Sequence, residues 1–233
     1  ESGGEVIGCA VHTQEDGLLV SRMPESAATE IARLFSKDRG ETHRISGEPE
    51  TINWISRELE KLSSAEHELD YQWNIYRLDT PPAQDRAVGG HLRQGSSEED
   101  ARIVLNWSKS YELESPAPID IGEFFNRKLA NKELYIWDRD GPRAVATTSG
   151  PTLNGIRISS VYTSSASRKF GYASALVASL SSKLLQDGFS FVTLSALQGH
   201  PSEKMYGKLG YRHIGKRSSI RVSALRTIAQ ESR

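Results

Sequence analysis

One segment of the chain combines residue types that could bind an anion. A β-type run at 161–163 leads through a serine-rich stretch into Arg168-x-x-Gly171-x-Ala173. Glycine adopts backbone conformations that other residues resist, and it lets main-chain amides approach a ligand closely. A helix expected over 172–185 would begin with amides that lack intrahelical partners and carry about half a positive charge. The pattern therefore predicts a strand, a phosphate-binding turn and a helix, with a pyrophosphate as a suitable ligand.

Further segments on both sides of this turn predict the elements that would position it. Residues 134–137 and 144–147 flank Asp138-Arg139-Asp140-Gly141, a turn sequence typical of a β-hairpin. Downstream, residues 189–194 alternate as in a strand, and residues 202–211 follow as a short helix and turn. The order is therefore hairpin, strand, turn, helix, strand and helix.

This arrangement resembles the GNAT (N-acetyltransferase) superfamily, whose acyl-CoA motif is R/Q-x-x-G-x-G/A after a strand. The family's second cofactor-side helix commonly ends in Tyr-x-Lys-x-Gly-Tyr, which matches 206–211 here. The resemblance implies an α/β (α+β) fold with a mixed, mostly antiparallel central sheet flanked by helices. It implies a GNAT N-acetyltransferase domain at 86–217, preceded by a smaller α+β half at 1–85 and followed by a strand and helix tail at 218–233.

The resemblance also implies acetyl-CoA as co-substrate and a direct transfer to an amine, without a metal. The positions that match the family's cofactor-binding segment are Val161, Tyr162, Thr163, Arg168, Lys169, Phe170, Gly171, Tyr172, Ala173 and Ser174. Tyr206 matches the helix tyrosine whose hydroxyl lies near the thioester sulfur. A phenol of pKa about 10 stays protonated at neutral pH and can donate to a departing thiolate. The alternative role for Tyr206 is packing, and Tyr162 fits a pocket wall.

Two departures from the family pattern concern the other chemical groups. Relatives often carry a glutamate two residues before the arginine of the turn, whereas this chain has Ala166. An alkyl amine needs such a base, because exposing its lone pair at neutral pH costs about 4–5 kcal/mol. The family's second helix asparagine is replaced by Glu203, for which Lys204 or a nearby arginine is the expected partner. The strand at 160–162 is expected to diverge from its neighbour, and one of its main-chain amides is expected to polarise the thioester carbonyl of acetyl-CoA.

Two helices predicted between 96 and 130 would shape the acceptor side. Ser96 or Ser97 can cap the first, with acidic residues in its first turn. Apolar residues at helical spacing are expected to pack inward: Ile103, Val104, Trp107 and Tyr111 in the first helix, and Ile121, Phe124, Phe125 and Leu129 in the second. Tyr111, Glu112 and Glu114 could face an amine, or the aromatics could be core and the glutamates solvated.

The first 85 residues predict strands at 6–11, 18–20 and 71–76, with two helices in between, in the order β-β-α-α-β. The first helix begins near Pro24, with Ala28, Ile31, Ala32 and Leu34 toward the core. The second begins at Glu48-Pro49, with Ile52, Ile55, Leu59 and Leu62 inward. Paired prolines at 81–82 mark the boundary. The segment is either a degenerate GNAT-like half or an unrelated α+β extension.

Bulk properties exclude several classes of protein. The formal net charge is −1 with scattered basic residues, so no nucleic-acid surface is expected. Cys9 is the only cysteine, which precludes an internal disulfide and leaves no thiol in the motif domain for an acyl-enzyme. No apolar run is long enough for a membrane span and no signal peptide is recognised, so a cytoplasmic location is expected. Because the chain begins with Glu1, we expect a trimmed or processed product.

The sequence thus predicts an enzyme, an acyltransferase that moves the acetyl group of acetyl-CoA to a primary amine within a ternary complex. The acceptor could be a small molecule or a protein amino group, and a homodimer is possible. Two alternatives remain: a catalytically weak CoA-binding sensor, and a protein-interaction module on the same scaffold. A terminal helix is expected at 222–233, where apolar residues recur at helical spacing.

Overall fold

A computed structural model describes residues 4–13, 17–36, 42–62, 66–82, 88–114 and 121–223. They form two units: the first takes in residues up to Asn74 and from Gly215 onward, and the second comprises Ile75–Ile214. Strands β4 (His67–Leu78) and β10 (Arg212–Ser223) contribute residues to both units. Within the described ranges, no helix is long and apolar enough to span a membrane.

The first unit is a small sheet with two helices. Its strands follow the order β1-β2-β3-β10-β4, in which β2 and β3 are parallel, whereas β1 with β2 and β3 with β10 are antiparallel. Besides parts of β4 and β10, its elements are β1 (Ala10–Thr13), β2 (Gly17–Val20), α1 (Glu25–Phe35), β3 (Thr42–Gly47) and α2 (Pro49–Leu62).

Both predicted helices of this unit are confirmed, although each presents one leucine differently from the prediction. In α1, Ala28, Ala32 and Phe35 form the buried stripe, whereas Leu34 is 62% exposed. Leu34 lies about 100° around the helix from Phe35, off the i, i+4, i+7 stripe. In α2, the buried apolar residues end at Leu59, because Leu62 is the last helical residue and extends beyond the core.

The predicted β-β-α-α-β order is wrong, because β3 lies between the two helices. Its sequence, Thr-His-Arg-Ile-Ser-Gly, has one apolar residue, Ile45, and so lacks the apolar alternation of a recognisable strand. Polar contacts within the sheet replace that alternation: Ser46 Oγ lies 2.9 Å from Ser219 Oγ, and Arg44 pairs with Asp70 at 3.0 Å. The first strand also begins later than predicted, at Ala10 and not at residue 6.

The second unit is a larger mixed sheet covered by helices. The strand order is β10-β4-β9-β8-β7-β6-β5, with antiparallel pairing from β5 through β8 and parallel pairing of β8 with β9. This confirms the predicted mixed, mostly antiparallel sheet flanked by helices. Its elements besides β4 and β10 are β5 (His91–Gln94), α3 (Glu98–Glu114), α4 (Ile121–Ala130), β6 (Leu134–Asp138), β7 (Pro142–Ser149), β8 (Gly155–Thr163), α5 (Tyr172–Gln186), β9 (Phe191–Leu197) and α6 (Ser202–Lys208).

Side chains alternate between two cores on opposite faces of this sheet. In β6, Tyr135 and Trp137 join a core that includes α5 residues such as Leu176, which we call the α5-side core. Leu134 and Ile136 join a second core with Val104, Ile121 and Phe125 of α3 and α4, which we call the α3-side core. The two-residue period of a strand therefore divides β6 between the two helical layers.

Local signals in the second unit acted as predicted. Ser97 Oγ accepts the amide of Asp100 at 3.0 Å, and the Asp100 carboxylate accepts the amides of Ser96 and Ser97, so the helix start is reciprocally capped. Arg93 also forms two hydrogen bonds to Asp100, at 2.8 and 2.7 Å. Hydrogen bonding to Arg93 holds the pKa of the Asp100 carboxyl far below its usual range.

The end of the chain differs from the prediction over the residues that can be compared. Val222 lies in β10, which pairs with β3 through Ser223, so the predicted terminal helix does not begin at residue 222. The remainder of that predicted helix, at 224–233, lies outside the described residues. The residues at the predicted boundary between 85 and 86 also lie outside the described residues.

Candidate functional site

A β-bulge in β8 shapes the strand that leads to the predicted phosphate turn. Opposite β7, Val145 pairs with Tyr162 and Thr147 pairs with Ser159, so two residues of β8 face one of β7. Ser160, one of those two, has a left-handed φ of 48°. Such a bulge bends a strand and redirects its side chains.

The bulge changes which face of the sheet the side chains at the end of β8 occupy. Ile156 and Ile158 belong to the α5-side core, so strict alternation would send Tyr162 to that core too. Instead Tyr162 lies in the α3-side core, and Val161 packs against the α5-side core. The extra residue at Ser160 is the physical reason for this switch.

The parallel pairing of β8 with β9 ends at Arg157, before the bulge at Ser160. Their parallel pairing covers Gly155–Arg157 and Phe191–Thr193, yet the two strands continue to Thr163 and Leu197. The sequence predicted a splayed strand at 160–162, and the pairing agrees with that prediction. Main-chain groups of β8 in this stretch are therefore placed where an extended ligand could pair with them.

The turn after β8 has the backbone geometry expected of an anion site. Lys169 and Gly171 have φ values of 69° and 86°, and Gly171 immediately precedes α5. The amide of Ala175 makes the first helix-type hydrogen bond, to the Gly171 carbonyl at 3.0 Å. The amides of 172–174 come before that bond, and no side chain caps α5. They point beyond the helix start, where an anion is favoured.

The start of α5 contrasts with two other helix starts in the same chain. In α2, the Glu48 carboxylate accepts the amide of Thr51 at 3.0 Å. In α3, the side chains of Ser97 and Asp100 serve the same purpose. In those two helices, carboxylate or hydroxyl side chains accept hydrogen bonds from the first amides. In α5 no side chain of the described residues does so, and its first amides are available to a ligand.

A buried hydroxyl beside the turn is left without a partner. Thr163 Oγ1 is inaccessible to solvent and has no hydrogen-bond partner among the described residues. The Thr163 carbonyl, by contrast, accepts Arg168 Nε at 3.2 Å. An unsatisfied buried hydroxyl costs about 1–3 kcal/mol, so a polar ligand group at this end of β8 would supply the missing hydrogen-bond partner.

Arg168 is held by helix α3 through Glu114. Its Nη2 lies 2.8 and 2.9 Å from the two carboxylate oxygens of Glu114, and its guanidinium carbon lies 5.5 Å from the centre of the Tyr162 ring. The hydrogen bonds to Glu114 raise the pKa of Arg168. Glu114, expected to face an amine or solvent, thus faces the phosphate turn, and Glu112 accepts the amide of Ile121 at 3.1 Å.

The remaining residues of the predicted cofactor segment divide between surface and core. Lys169 is exposed, and Phe170 is 63% exposed, with its ring stacked on Tyr172 at 5.9 Å. Tyr172 is buried in the α5-side core, while Ala173 and Ser174 are half-buried on α5. The exposure of these side chains therefore differs from residue to residue. Their common feature is that their main-chain atoms form one continuous segment around the turn.

Aromatic side chains converge on the bulge from α3. The Tyr162 ring lies 6.0 Å from Trp107 and 5.8 Å from Tyr111, which makes it part of a packed wall. Burial raises the pKa of Tyr111, and a hydrogen bond to the Ser160 side chain partly offsets that rise. Tyr111 thus brings a hydroxyl from α3 to the bulge and also packs against the α3-side core, and its orientation toward an amine stays a prediction.

Tyr206, the predicted acid, is almost wholly enclosed. It is 4% exposed, and its ring lies 6.1 Å from Tyr76 and 6.0 Å from Tyr211. Burial raises the pKa of Tyr206 to about 12, a hydrogen bond to Ser202 lowers it, and the Tyr111 phenol raises it further. Tyr206 therefore packs in the core and also keeps a protonated hydroxyl that is electrostatically coupled to Tyr111.

Two polar residues near α6 have specific partners. The Glu203 carboxylate accepts the Tyr76 hydroxyl at 3.0 Å and the Gly199 amide at 3.1 Å. The Glu203 carboxylate therefore points toward β4, and its hydrogen bond with Tyr76 was not predicted from the sequence. His200 is exposed, and its Nδ1 lies 2.7 Å from Ser202 Oγ. Within the described ranges, no group of three or more His, Cys, Asp or Glu side chains could hold a metal.

Comparisons with known proteins agree with this geometry. Residues 144–222 match the family described as FR47-like protein. A GCN5-related N-acetyltransferase from Sphaerobacter thermophilus is 14% identical, with a TM-score of 0.65, over 95% of this chain and 77% of its own. One from Kribbella flavida is 13% identical, with a TM-score of 0.62, over 97% and 90%. A tandem GNAT protein from the clavulanic acid biosynthesis pathway is 13% identical, with a TM-score of 0.58, over 96% and 81%. No curated protein sequence matches the chain.

These findings confirm the resemblance to the GNAT superfamily. The chain has the fold of that superfamily, and the family match covers residues 144–222, which include β8, the phosphate turn, α5 and α6. Two of these relatives are described as GCN5-related N-acetyltransferases. At identities this low, the comparison describes architecture, and the chemistry has to be argued from the residues.

Sequence reasoning missed three features of the site: the bulge at Ser160, the Glu114–Arg168 pair, and the contact of Tyr76 with Glu203. The bulge has a weak signal, because the apolar alternation of β8 changes phase between Ile158 and Val161. The other two join residues 54 and 127 positions apart, and spacing does not reveal such pairs.

Proposed function

We propose that this protein is an N-acetyltransferase that moves the acetyl group of acetyl-CoA directly to a primary amine in a ternary complex. The observation that carries the proposal is the turn at 168–174, where a left-handed glycine opens an uncapped helix at the end of a bulged, splayed strand. Such a turn suits a pyrophosphate, and the neighbouring strand edge suits an extended amide-containing arm.

The residues of the site fit acetyl-CoA. Main-chain amides at the start of α5 would hold the phosphates, and the Thr163 hydroxyl, which lacks a partner among the described residues, would gain one. Gly171 has a φ of 86°, which residues with a side chain rarely adopt, so the main-chain geometry of the turn depends on glycine. Lys169 adds positive charge at the exposed rim of the turn. When bound, acetyl-CoA supplies the activated thioester carbonyl.

Tyr206 is the proposed acid for the leaving sulfur. A phenol of pKa about 12 holds its proton at neutral pH. Complete transfer of that proton to a thiolate of pKa about 8.5 would be uphill by roughly 5 kcal/mol, because one pKa unit corresponds to about 1.4 kcal/mol. Tyr206 is therefore suited to donating a hydrogen bond and sharing the proton as charge develops. A long-lived tyrosinate is not expected.

Polarisation of the carbonyl is assigned to the main chain of β8. Residues 160–162 of β8 lie in the bulge and after the last residue that pairs with β9. A preorganised amide in such a place stabilises developing negative charge. The Tyr111 hydroxyl beside Ser160 would orient either this strand or the incoming amine.

The first unit is proposed to be a degenerate GNAT-like half. The three structural relatives named above each match at least 95% of the chain, and one of them is described as a tandem GNAT protein. In this unit the start of α2 is occupied by the Glu48 carboxylate, which would repel a phosphate. Acetyl-CoA binding is therefore assigned to the second unit.

The acceptor is proposed to be a small-molecule amine or a protein amino group. The test is steady-state turnover of acetyl-CoA with a panel of amines, comparing wild type with Tyr206→Phe. We expect turnover with at least one amine, and a loss of about 10²-fold or more in kcat for the variant, since general acid catalysis contributes about 10²–10⁴-fold. Absence of turnover with every amine tested would refute the enzymatic proposal.

A catalytically weak CoA-binding sensor is the alternative. It is favoured by Ala166 at the position of the family's carboxylate base and by the deep burial of Tyr206. Calorimetry with CoA separates the possibilities: heat of binding without turnover supports the sensor. The absence of any heat supports an interaction module.

A further inference from the structure

Arg168 occupies a cation site that other residues of the second unit form. Its Nη2 lies 2.8 and 2.9 Å from the two carboxylate oxygens of Glu114, and its guanidinium carbon lies 5.5 Å from the centre of the Tyr162 ring. A carboxylate and the face of an aromatic ring both attract organic cations. In the free protein, one internal cation therefore satisfies both groups.

The contact between Arg168 and Glu114 is accessible to solvent, so it can be exchanged. Their side chains are 41% and 50% exposed. An exposed ion pair stabilises a protein only slightly, because water and salt screen it. A pyrophosphate at the start of α5 carries more charge than one carboxylate, and the amides there help to hold it. It would therefore compete with Glu114 for Arg168.

The end of α3 favours a new cation beside Glu114 once Arg168 has left. This helix ends at Glu114, and the described side chains of its last turn include no basic residue. The C-terminal end of a helix carries a partial negative charge, so a carboxylate there is unfavourable without a cation. Glu112, in the same turn, accepts the amide of Ile121 at 3.1 Å. Glu114 is therefore the carboxylate of this turn that a ligand cation would contact.

The cation site lies beside the strand to which acetyl transfer is assigned. Trp107, Tyr111 and Glu114 recur at i, i+4 and i+7, so they share one face of α3. The rings of Trp107 and Tyr111 lie 6.0 and 5.8 Å from the Tyr162 ring, and Tyr162 follows the bulge at Ser160. A cation bound to Glu114 would therefore lie on the α3 side of β8, close to this end of the strand.

We propose that Glu114 and the Tyr162 ring bind the ammonium group of the acceptor, and that Arg168 fills this site until CoA binds. The proposal rests on the proposed acetyl transfer and names its acceptor class as alkyl amines, which are charged at neutral pH. When the phosphates of CoA take up Arg168, the carboxylate and the ring face become available to the amine. CoA binding therefore strengthens amine binding, and by thermodynamic reciprocity the amine strengthens CoA binding.

The first test measures this coupling without chemistry, because CoA carries no acetyl group to transfer. n-Butylamine, which is protonated at pH 7, is titrated into the free protein and into the CoA complex, and binding is followed by NMR. In wild type, saturating CoA should strengthen the binding of n-butylamine by about threefold to fivefold, the range set by an exposed ion pair. In Glu114→Gln, CoA should leave the affinity for n-butylamine unchanged.

Arg168→Gln provides the reciprocal test. It removes the internal cation, and glutamine also satisfies the R/Q position of the family's turn. The free variant should bind n-butylamine as tightly as the wild-type CoA complex does, and CoA should then add nothing. Asp187→Asn is the matched control, because it removes a carboxylate from the Lys183–Asp187 pair of α5, whose side chains are 45% and 44% exposed. This control should show the wild-type coupling.

Equal affinity of the wild type for n-butylamine with and without CoA would overturn the cation site and leave the proposed transferase intact. So would coupling that survives in Glu114→Gln, coupling that is lost in Asp187→Asn, an Arg168→Gln variant that binds the amine no more tightly than free wild type, or the absence of saturable amine binding to the CoA complex. A wild type that neither binds CoA nor turns over acetyl-CoA would refute the transferase, and the cation site with it.

Discussion

Replacement of Gly171 by valine tests the anion site most directly. Gly171 has φ 86° and ψ 5°, a left-handed conformation that a β-branched residue adopts only under strain of about 1–3 kcal/mol. The new β-carbon would also lie 3.2 Å from Val88 Cγ2. We expect the main chain to rotate away, which redirects the amides at the start of α5.

The expected loss of affinity can be worked from those amides. If two hydrogen bonds to phosphate oxygens are lost, at about 1.5–3 kcal/mol each, affinity for CoA falls by at least about 100-fold. The strain lowers stability by about 1–3 kcal/mol, which corresponds to a fall in Tm of a few degrees for a chain of this size. Isothermal titration calorimetry with CoA and thermal unfolding measure the two effects separately.

Gly188→Val is the matched control at the opposite end of the same helix. Gly188 has φ 106°, and a β-carbon there would meet no atom within 4 Å. This variant should show a similar loss of stability with unchanged CoA affinity. If Gly171→Val binds CoA as wild type does while its Tm falls as in the control, the assignment of the phosphate site to this turn is refuted.

Two further predictions concern charged pairs of the second unit. Glu114→Gln frees Arg168 and removes a negative charge beside the turn, so CoA affinity should rise by up to about fivefold. This factor corresponds to an exposed ion pair worth up to about 1 kcal/mol. Calorimetry at low and high salt measures the affinity, and weaker binding in the variant would contradict the reasoning. Asp100→Asn breaks a pair whose carboxylate is buried and should lower the free energy of unfolding at neutral pH by about 3 kcal/mol. Because the folded-state pKa of Asp100 is depressed, its contribution is present above the ordinary carboxyl pKa and is lost as the pH falls below it, so urea unfolding should show the wild-type advantage shrinking from pH 7 to pH 3. A difference independent of pH would exclude the pair as its cause.

Much of the second unit could be predicted because its signals are local. The hairpin at 138–141, the cap of α3 at Ser97 and the left-handed glycine before α5 each depend on residues a few positions apart. Steric and hydrogen-bond preferences within one turn of chain are written in such short segments. The predicted transferase family followed from the order of those segments, and the fold agrees with it.

Pairing between distant parts of the chain decided what local patterns could not. Strand β3 is polar, and it is a strand because β2 and β10 lie on either side of it. Glu203 accepts from Tyr76 because β4 lies beside β9 and the adjoining α6 segment. Leu34 is exposed although it matched the apolar pattern, because the face of α1 that meets the sheet is set by the whole stripe.

The amino-acid sequence by itself predicted where the turn before α5 lies, which glycine precedes that helix and which tyrosine follows on the short helix α6. Only the tertiary structure decided that a bulge at Ser160 sends Tyr162 to the α3-side core, that Glu114 holds Arg168, and that Tyr206 is enclosed. The physical reason is the range of the interactions. Turns and caps are satisfied within a few residues, whereas side-chain facing and burial depend on partners that folding brings from elsewhere in the chain.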